Sequence, residues 1–261
     1  MKIFKNRKEL INEIFNKKNI AFVPTMGSIH SGHLSLIKKA QNKSKNVLVT
    51  IYINPKQFNS NSDFNKYPRS LDKDILLLRK AKIRYLFIPT DKDIYSFRTE
   101  LPIYLDKFSK QLCGKFRPKH FKGVINVINR FLEIIKPSSI YLGIKDFQQL
   151  ALIKIHVKKN KIPIKVISCP TIRHNSGIAL SSRNIKLKKK QFKIAGRIYK
   201  YLTKEKRNAL SKNLEIKKLK FLNKITLLGV SKIEYLECVN LETLKTSKKI
   251  NRKCNIFIAY Y

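Results

Sequence analysis

Residues 20–40 read IAFVPTMGSIHSGHLSLIKKA, and this stretch decides the fold. An apolar run from Ile20 to Val23 breaks at Pro24 and Gly27, and apolar residues resume at Leu34, Leu36 and Ile37 with helical spacing. Strand, loop and helix in that order open a βα unit. Within the loop and the first helical turn lie His30, Gly32 and His33, an H-x-G-H pattern. Two imidazoles three residues apart at a helix start face the same way, beside unpaired backbone N–H groups that already favour an anion. Gly32 removes a side chain where a base or a phosphate chain would approach the backbone. A histidine pair on a helix is often only a surface or core feature. Here it follows an apolar strand and a Pro/Gly loop, and two of the chain's five histidines fall within four residues, so the reading is nucleotide-phosphate contact.

Outward from that stretch, 261 residues with 43% hydrophobic side chains suit one large domain, or a main domain with a smaller appendage. No apolar run approaches the ~18 residues that span a bilayer, and the N-terminus carries no signal-peptide pattern. A soluble cytoplasmic protein without a membrane partner is expected. Cys113, Cys169, Cys238 and Cys254 lie far apart at no zinc-ligand spacing, so free thiols are expected. The formal net charge of +41 invites a nucleic-acid reading, but lysines are spread through nearly every block of ten residues. A dedicated nucleic-acid domain concentrates charge and interleaves aromatics. The expectation is therefore no specific nucleic-acid partner, weak non-specific binding at low salt, and a field that draws in ATP or a small carboxylate.

Met1–Lys18 reads as an amphipathic helix with Leu10, Ile11, Ile14 and Phe15 on one face. Val47–Ile53 (VLVTIYI) reads as a strand buried on both faces, 59–69 as a polar loop, Asp72–Lys80 as a helix and Ile83–Pro89 as a third strand. The order repeats with a helix over Lys122–Ile135, the strand SIYLG ending at Gly143, a helix through Gln148–Lys159, and the strand IKVISCP ending at Pro170. This alternation predicts an α/β fold with a doubly wound, Rossmann-like parallel sheet, in which ligands bind at the carboxyl ends of the strands. Polar clusters do follow the strand ends: PTMGSIHSGH, NPKQF, GIKDFQQ and PTIRHNSGIALSSRN. From about Asn184 a lysine-rich helical stretch (Lys186–Leu222) and short strands around Ile233–Val239 and Ile256–Tyr260 predict a small α+β C-terminal domain. The expected domains are 1–183, catalytic, and 184–261, a lid, with Gly177, Ser181 and Ser182 at a plausible hinge.

Lys145 and Asp146 open a helix directly after a strand, where Lys145 can supply charge to a phosphate and Asp146 can cap the helix or hold a ribose hydroxyl. A capping Asp beside a solvated Lys is the plainer alternative for that segment alone. Gln57 and Gln149 follow two different strands and suit a substrate with a carboxylate and hydroxyls, or are ordinary surface amides. Arg183 could clamp a transferring phosphate with Ser181 and Ser182 on its oxygens. Arg117 and His120 precede a helix and suit a second anion. Asp72 and Asp74 could help hold Mg²⁺ or simply charge a helix N-terminus. No Ser, Cys or Lys nucleophile has an adjacent base. The simplest chemistry is attack by a substrate carboxylate on the α-phosphate with loss of pyrophosphate, driven by positioning and charge neutralisation.

PTMGSIHSGH, INPKQF, DFNKYPRS, RPKHFKGV, GIKDFQQLALI and PTIRHNSGIALSSRN, in this order from about Phe22 to Leu187, resemble the pantothenate synthetase (pantoate–β-alanine ligase) family of the broader H-x-G-H nucleotidyltransferase group. The resemblance implies ATP-dependent condensation of (R)-pantoate with β-alanine through a pantoyl-adenylate, with Mg²⁺, in a cytoplasmic homodimer. Carried over by motif, Met26, Gly27, Ser28, Ile29, His30, Ser31, Gly32 and His33 would line the ATP site, with His33 as proton donor and His30 on the phosphates. Gly143, Ile144, Lys145, Asp146, Ile172, Leu180, Ser181, Ser182 and Arg183 would complete it, with Lys145 and Arg183 among the catalytic groups. Gln57 and Gln149 would bind pantoate and Gln57 also β-alanine, Asn54 and Arg117 would stand near the substrates, and Asp74 near the metal.

Three departures accompany the match. Ile144 stands where the family usually has Glu, Ser176 replaces a usual Asp before Gly177, and the sequence ends at Tyr261, short of a usual terminal segment. The competing readings are a nucleotidyltransferase acting on another small acid or phosphate acceptor, and a basic nucleic-acid-binding module.

Overall fold

A computed structural model describes residues 1–208 and 214–261. They divide into two compact units, the first made of Met1–Ser109, Arg117–Ile172 and Leu180–Arg183, the second of Lys110–Phe116, Arg173–Ala179 and Asn184–Tyr261.

The first unit is a six-stranded, wholly parallel sheet of β1 (Lys2–Phe4), β2 (Ala21–Thr25), β3 (Val47–Ile51), β4 (Tyr85–Phe87), β5 (Ser139–Gly143) and β6 (Lys165–Cys169). Their order across the sheet is β1-β4-β3-β2-β5-β6. The helices are α1 (Arg7–Ile14), α2 (Ser31–Gln41), α3 (Asn61–Asn65), α4 (Leu71–Lys80), α5 (Asp91–Tyr95), α7 (His120–Ile135) and α8 (Phe147–Lys159), while α6 (Cys113–Phe116) belongs to the second unit. Val23, Val49 and Leu86 pack with Ile37 of α2 and Leu78 of α4 on one face of the sheet. On the other, the rings of Phe22 and Phe87 meet Phe131 of α7 at 5.5 and 6.4 Å. All five residues of β3 are buried, which is why VLVTI has no polar alternation.

The chain winds outward from β2 to β3 and β4 on one side and from β5 to β6 on the other, so the order reverses between β2 and β5. Ligands of doubly wound sheets bind at such a switch point. Here β2 and β5 pair only over Ala21–Phe22 and Ser139–Ile140. Pro24, which has no N–H to donate, lies within β2 and beyond the last of these pairs. The crevice therefore opens toward Thr25 and Gly143.

Several expectations need correction. The N-terminal segment is not one helix: Lys2–Phe4 forms edge strand β1 beside β4, and α1 buries Leu10 and Ile14 but leaves Phe15 80% exposed. The polar loop at 59–69 holds the short helix α3, capped by Ser60 on Asp63 N–H. Pro24 continues the first strand instead of ending it.

In the second unit, α9 (Lys189–Asn208), α10 (Leu214–Leu227) and the antiparallel pair β7 (Ile233–Asn240) and β8 (Cys254–Tyr260) enclose a core of Ile198, Leu202, Phe221, Ile225, Leu236 and Cys238. The lysine-rich helical stretch holds α9 and α10, and its residues 209–213 lie outside the described residues. The turn at Arg173–Ala179 is tight: a Cβ on Gly196 would stand 2.3 Å from the Ser176 carbonyl oxygen. Ser176 itself bonds His174 Nδ1 at 3.1 Å. All four cysteines are free thiols, and among the described residues no helix is long and apolar enough to cross a membrane.

Candidate active site

The loop after β2 owes its shape to its own glycine and serine and to side chains from neighbouring elements. Gly27 has φ +78° and Ser28 φ +52°, so the backbone turns through the left-handed region twice in succession. That strain is held from both sides. The Asp74 carboxylate accepts the backbone N–H of Ser28 and of Ile29, each at 2.7 Å, and Ser70 Oγ donates to it at 3.1 Å. Thr25 Oγ1 accepts Gly27 N–H at 3.2 Å and donates to Thr50 O at 2.6 Å. From the Leu180–Arg183 segment, Ser182 Oγ donates to Ser28 O at 3.1 Å.

His30 is the N-cap of α2 and its Nδ1 accepts Gly32 N–H at 3.0 Å, which leaves Nε2 as the protonated nitrogen of the neutral ring. His33 lies one turn on, its ring 4.1 Å from that of His30. Burial, then His30, then Lys145 push the His33 pKa down to about 3. His30 is lowered first by burial and next by Lys145, with Asp146 opposing. Both imidazoles are neutral at pH 7, and His33 Nδ1 is buried without a hydrogen-bond partner. Gly32 is required between them, because a Cβ there would meet His30 Cε1 at 2.7 Å.

Lys145 arrives from the other side of the switch point, in the turn Ile144–Asp146 after β5, and its Nζ lies 3.3 Å from Asp146 Oδ1. Gly143 faces open space, Ile144 is 41% exposed, and Gln149 is partly buried in the first turn of α8. The chain then returns through Ile172, whose carbonyl accepts Leu180 N–H at 3.0 Å. Leu180 Cβ comes 3.8 Å from the space over Gly32. Ser181 Oγ accepts Arg183 N–H at 3.3 Å. Met26, Ser31 and the rest of the loop join these at the carboxyl ends of β2 and β5.

Arg183 is not a free clamp. Its Nη1 and Nη2 pair with Asp63 Oδ1 and Oδ2 at 2.5 and 3.0 Å, and its guanidinium carbon lies 5.5 Å from the centroid of the Tyr67 ring. Tyr67 in turn bonds Ser182. Neither Asp63 nor Tyr67 received a role from the sequence, although both lie in DFNKYPRS. A partner 120 residues away cannot be found from local spacing.

Gln57 closes the 3-10 turn Pro55–Gln57 after β3, with its amide beside Met26 Sδ. Asn54 is 1% exposed and held by a full set of hydrogen bonds. Its amide bonds Gly123 O at 3.1 Å and Gln57 Oε1 at 3.4 Å, and its oxygen accepts from Tyr95 Oη and Lys56 N–H. His120, at the start of α7, donates Nδ1–H to Gln57 O at 2.7 Å. The charge of Arg117 adds to the burial that lowers the His120 pKa. α7 can approach this turn because Gly123 has no side chain: a Cβ would lie 2.2 Å from Lys56 O.

Asp74 does not suit the metal site expected of it. It is 2% exposed and both of its oxygens carry loop hydrogen bonds. Among the described residues no group of three His, Cys, Asp or Glu side chains could hold an ion.

The model of the family described as pantoate-beta-alanine ligase matches residues 2–261. A pantothenate synthetase of Fervidobacterium nodosum is 40% identical over 97% of this chain and 91% of its own. One of Francisella tularensis subsp. mediasiatica is 41% identical over 96% and 88%. The crystal structure of pantothenate synthetase from Thermus thermophilus superimposes with a TM-score of 0.91 at 29% identity, covering 100% of this chain and 95% of that one. That of pantoate-beta-alanine ligase from Francisella tularensis, complexed with beta-gamma ATP and beta-alanine, gives a TM-score of 0.81 at 37% identity, covering 100% and 97%. A family match over the whole described fold, with the H-x-G-H loop at the sheet's switch point, leaves one conclusion: this chain belongs to the pantoate–β-alanine ligase family.

Proposed function

We propose that this protein joins (R)-pantoate to β-alanine at the expense of ATP, through a pantoyl-adenylate, releasing AMP and pyrophosphate. The observation that carries the reading is the neutral His30–His33 pair facing Lys145 across the β2/β5 crevice. Neutral imidazoles present N–H donors to phosphate oxygens without titrating at working pH, while Lys145 and Arg183 supply fixed positive charge for the leaving pyrophosphate. The pantoate carboxylate attacks the α-phosphorus and the bond to the β-phosphate oxygen breaks. The β-alanine amine then attacks the acyl carbon and AMP leaves. In this reading Gln57 and Gln149 hold pantoate, Gln57 also meets β-alanine, Asn54 and Arg117 stand near the substrates, and Asn54 and His120 fix the turn that carries Gln57. The structure of the Francisella tularensis ligase complexed with beta-gamma ATP and beta-alanine supports the ligand classes.

Among the described residues no protein ligand set favours Mg²⁺ at Asp74, so the ion belongs to this reading only as the counter-ion that ATP brings. A cytoplasmic homodimer completes the proposal, on the strength of the family resemblance, as does a catalytic role confined to residues 1–183, which contain every residue named above. Relatives matched over nearly their whole length favour this acceptor over the alternative of another small acid or phosphate. The test is product analysis with ATP and both substrates. AMP and pyrophosphate that form only when pantoate is present are expected, and formation of ADP would count against the reading.

A further inference from the structure

We propose that Asp63 is a positioning residue for the adenylation step, holding the Arg183 guanidinium end-on so that its free edge meets the triphosphate. The inference rests on the reading in which Arg183 grips ATP. An arginine has five N–H groups, and the end-on pair with Asp63 uses one from each Nη. Nε–H and the neighbouring Nη N–H remain as a second edge, spaced for two oxygens of a phosphate. Tyr67 flanks the guanidinium and ties this corner to the phosphate loop. Tyr67 stands at 5.5 Å from the guanidinium carbon, its hydroxyl bonds Ser182, and Ser182 bonds the Ser28 carbonyl of the phosphate loop. Asp63 thus joins α3 to the Leu180–Arg183 segment, which Ser182 in turn bonds to the β2–α2 loop.

The pair contributes little to the fold. Its side chains are 39% and 33% exposed, so solvent screens the charges and limits what the pair adds to stability. A guanidinium on a long, flexible stem is otherwise spread over many rotamers, so what Asp63 supplies is orientation.

Steady-state kinetics on the wild type, Asp63→Ala, Asp63→Asn, Arg183→Ala and the double variant Asp63→Ala/Arg183→Ala test this. Asp63→Ala is expected to lower kcat/KM for ATP about tenfold, to leave KM for pantoate within about twofold, and to leave the unfolding midpoint unchanged. Asp63→Asn, which keeps one oxygen acceptor, should fall between it and the wild type, and it carries the comparison if the alanine variant fails to fold. On the Arg183→Ala background the further loss should be under about twofold, because the residue it positions is gone. A fall in KM for ATP on removing the carboxylate would overturn the proposal, since Asp63 would then compete with phosphate. So would losses that multiply across the two sites, or equal rises in KM for both substrates. A wild type that makes no AMP from ATP and pantoate would overturn the functional reading itself, which distinguishes the two failures.

Discussion

Asp74 Oδ1 accepts the backbone N–H of Ile29 at 2.7 Å, and the same carboxylate takes Ser28 N–H at 2.7 Å through its other oxygen. The start of α4 thereby fixes the loop that places both histidines. Removing a buried acceptor leaves each donor unsatisfied at about 1–3 kcal/mol. Asp74→Ala is expected to destabilise the protein by roughly 2–4 kcal/mol and to lower kcat/KM for ATP at least tenfold. Excess Mg²⁺ should not restore activity. Restoration by the ion would return Asp74 to the role of metal ligand.

Gly123 carries an equally specific demand. Its added Cβ would lie 2.2 Å from Lys56 O and 2.8 Å from Gln57 Cα, both backbone atoms that cannot swing aside. Gly123→Ala should cost about 1–3 kcal/mol and displace the turn that holds Gln57. Denaturant unfolding and the KM for pantoate measure the two effects, and both should change together.

His30, His33, His120 and His156 all have lowered pKa values, burial being the first cause for each. A histidine whose folded pKa lies below its unfolded value keeps its stabilisation above the unfolded pKa and loses it as pH falls toward the folded one. For His33 that window runs from the ordinary histidine value of 6.5 down to about 3. His33→Gln should therefore lose less stability than the wild type between pH 7 and pH 4. Parallel unfolding curves for the two proteins would show that His33 is not buried in its neutral form.

Gly32 tests the histidine pair by geometry alone. A Cβ would stand 2.7 Å from His30 Cε1 and must push the ring aside. Gly32→Ala is expected to raise KM for ATP at least tenfold while leaving the unfolding midpoint within a few degrees.

The sheet was legible because parallel strands buried on both faces leave uninterrupted apolar runs, as at Val47–Ile51, and because its ligand loops follow the strand ends. The edge strand Lys2–Phe4 was not, since three residues with one exposed lysine carry no period. The histidines, Lys145 and Arg183 could be named from motifs. What holds them could not: Asp63 on Arg183 and Asp74 on Ser28 and Ile29 are contacts across 120, 46 and 45 residues. Local spacing carries no record of such pairs.

The central claim is that this crevice activates a carboxylate by adenylation, and pyrophosphate exchange into ATP tests it most directly. With pantoate present and β-alanine absent, labelled pyrophosphate should enter ATP, and His33→Ala should reduce the rate severely. Exchange that is indifferent to pantoate, or no exchange beside robust pantothenate synthesis, would contradict the account.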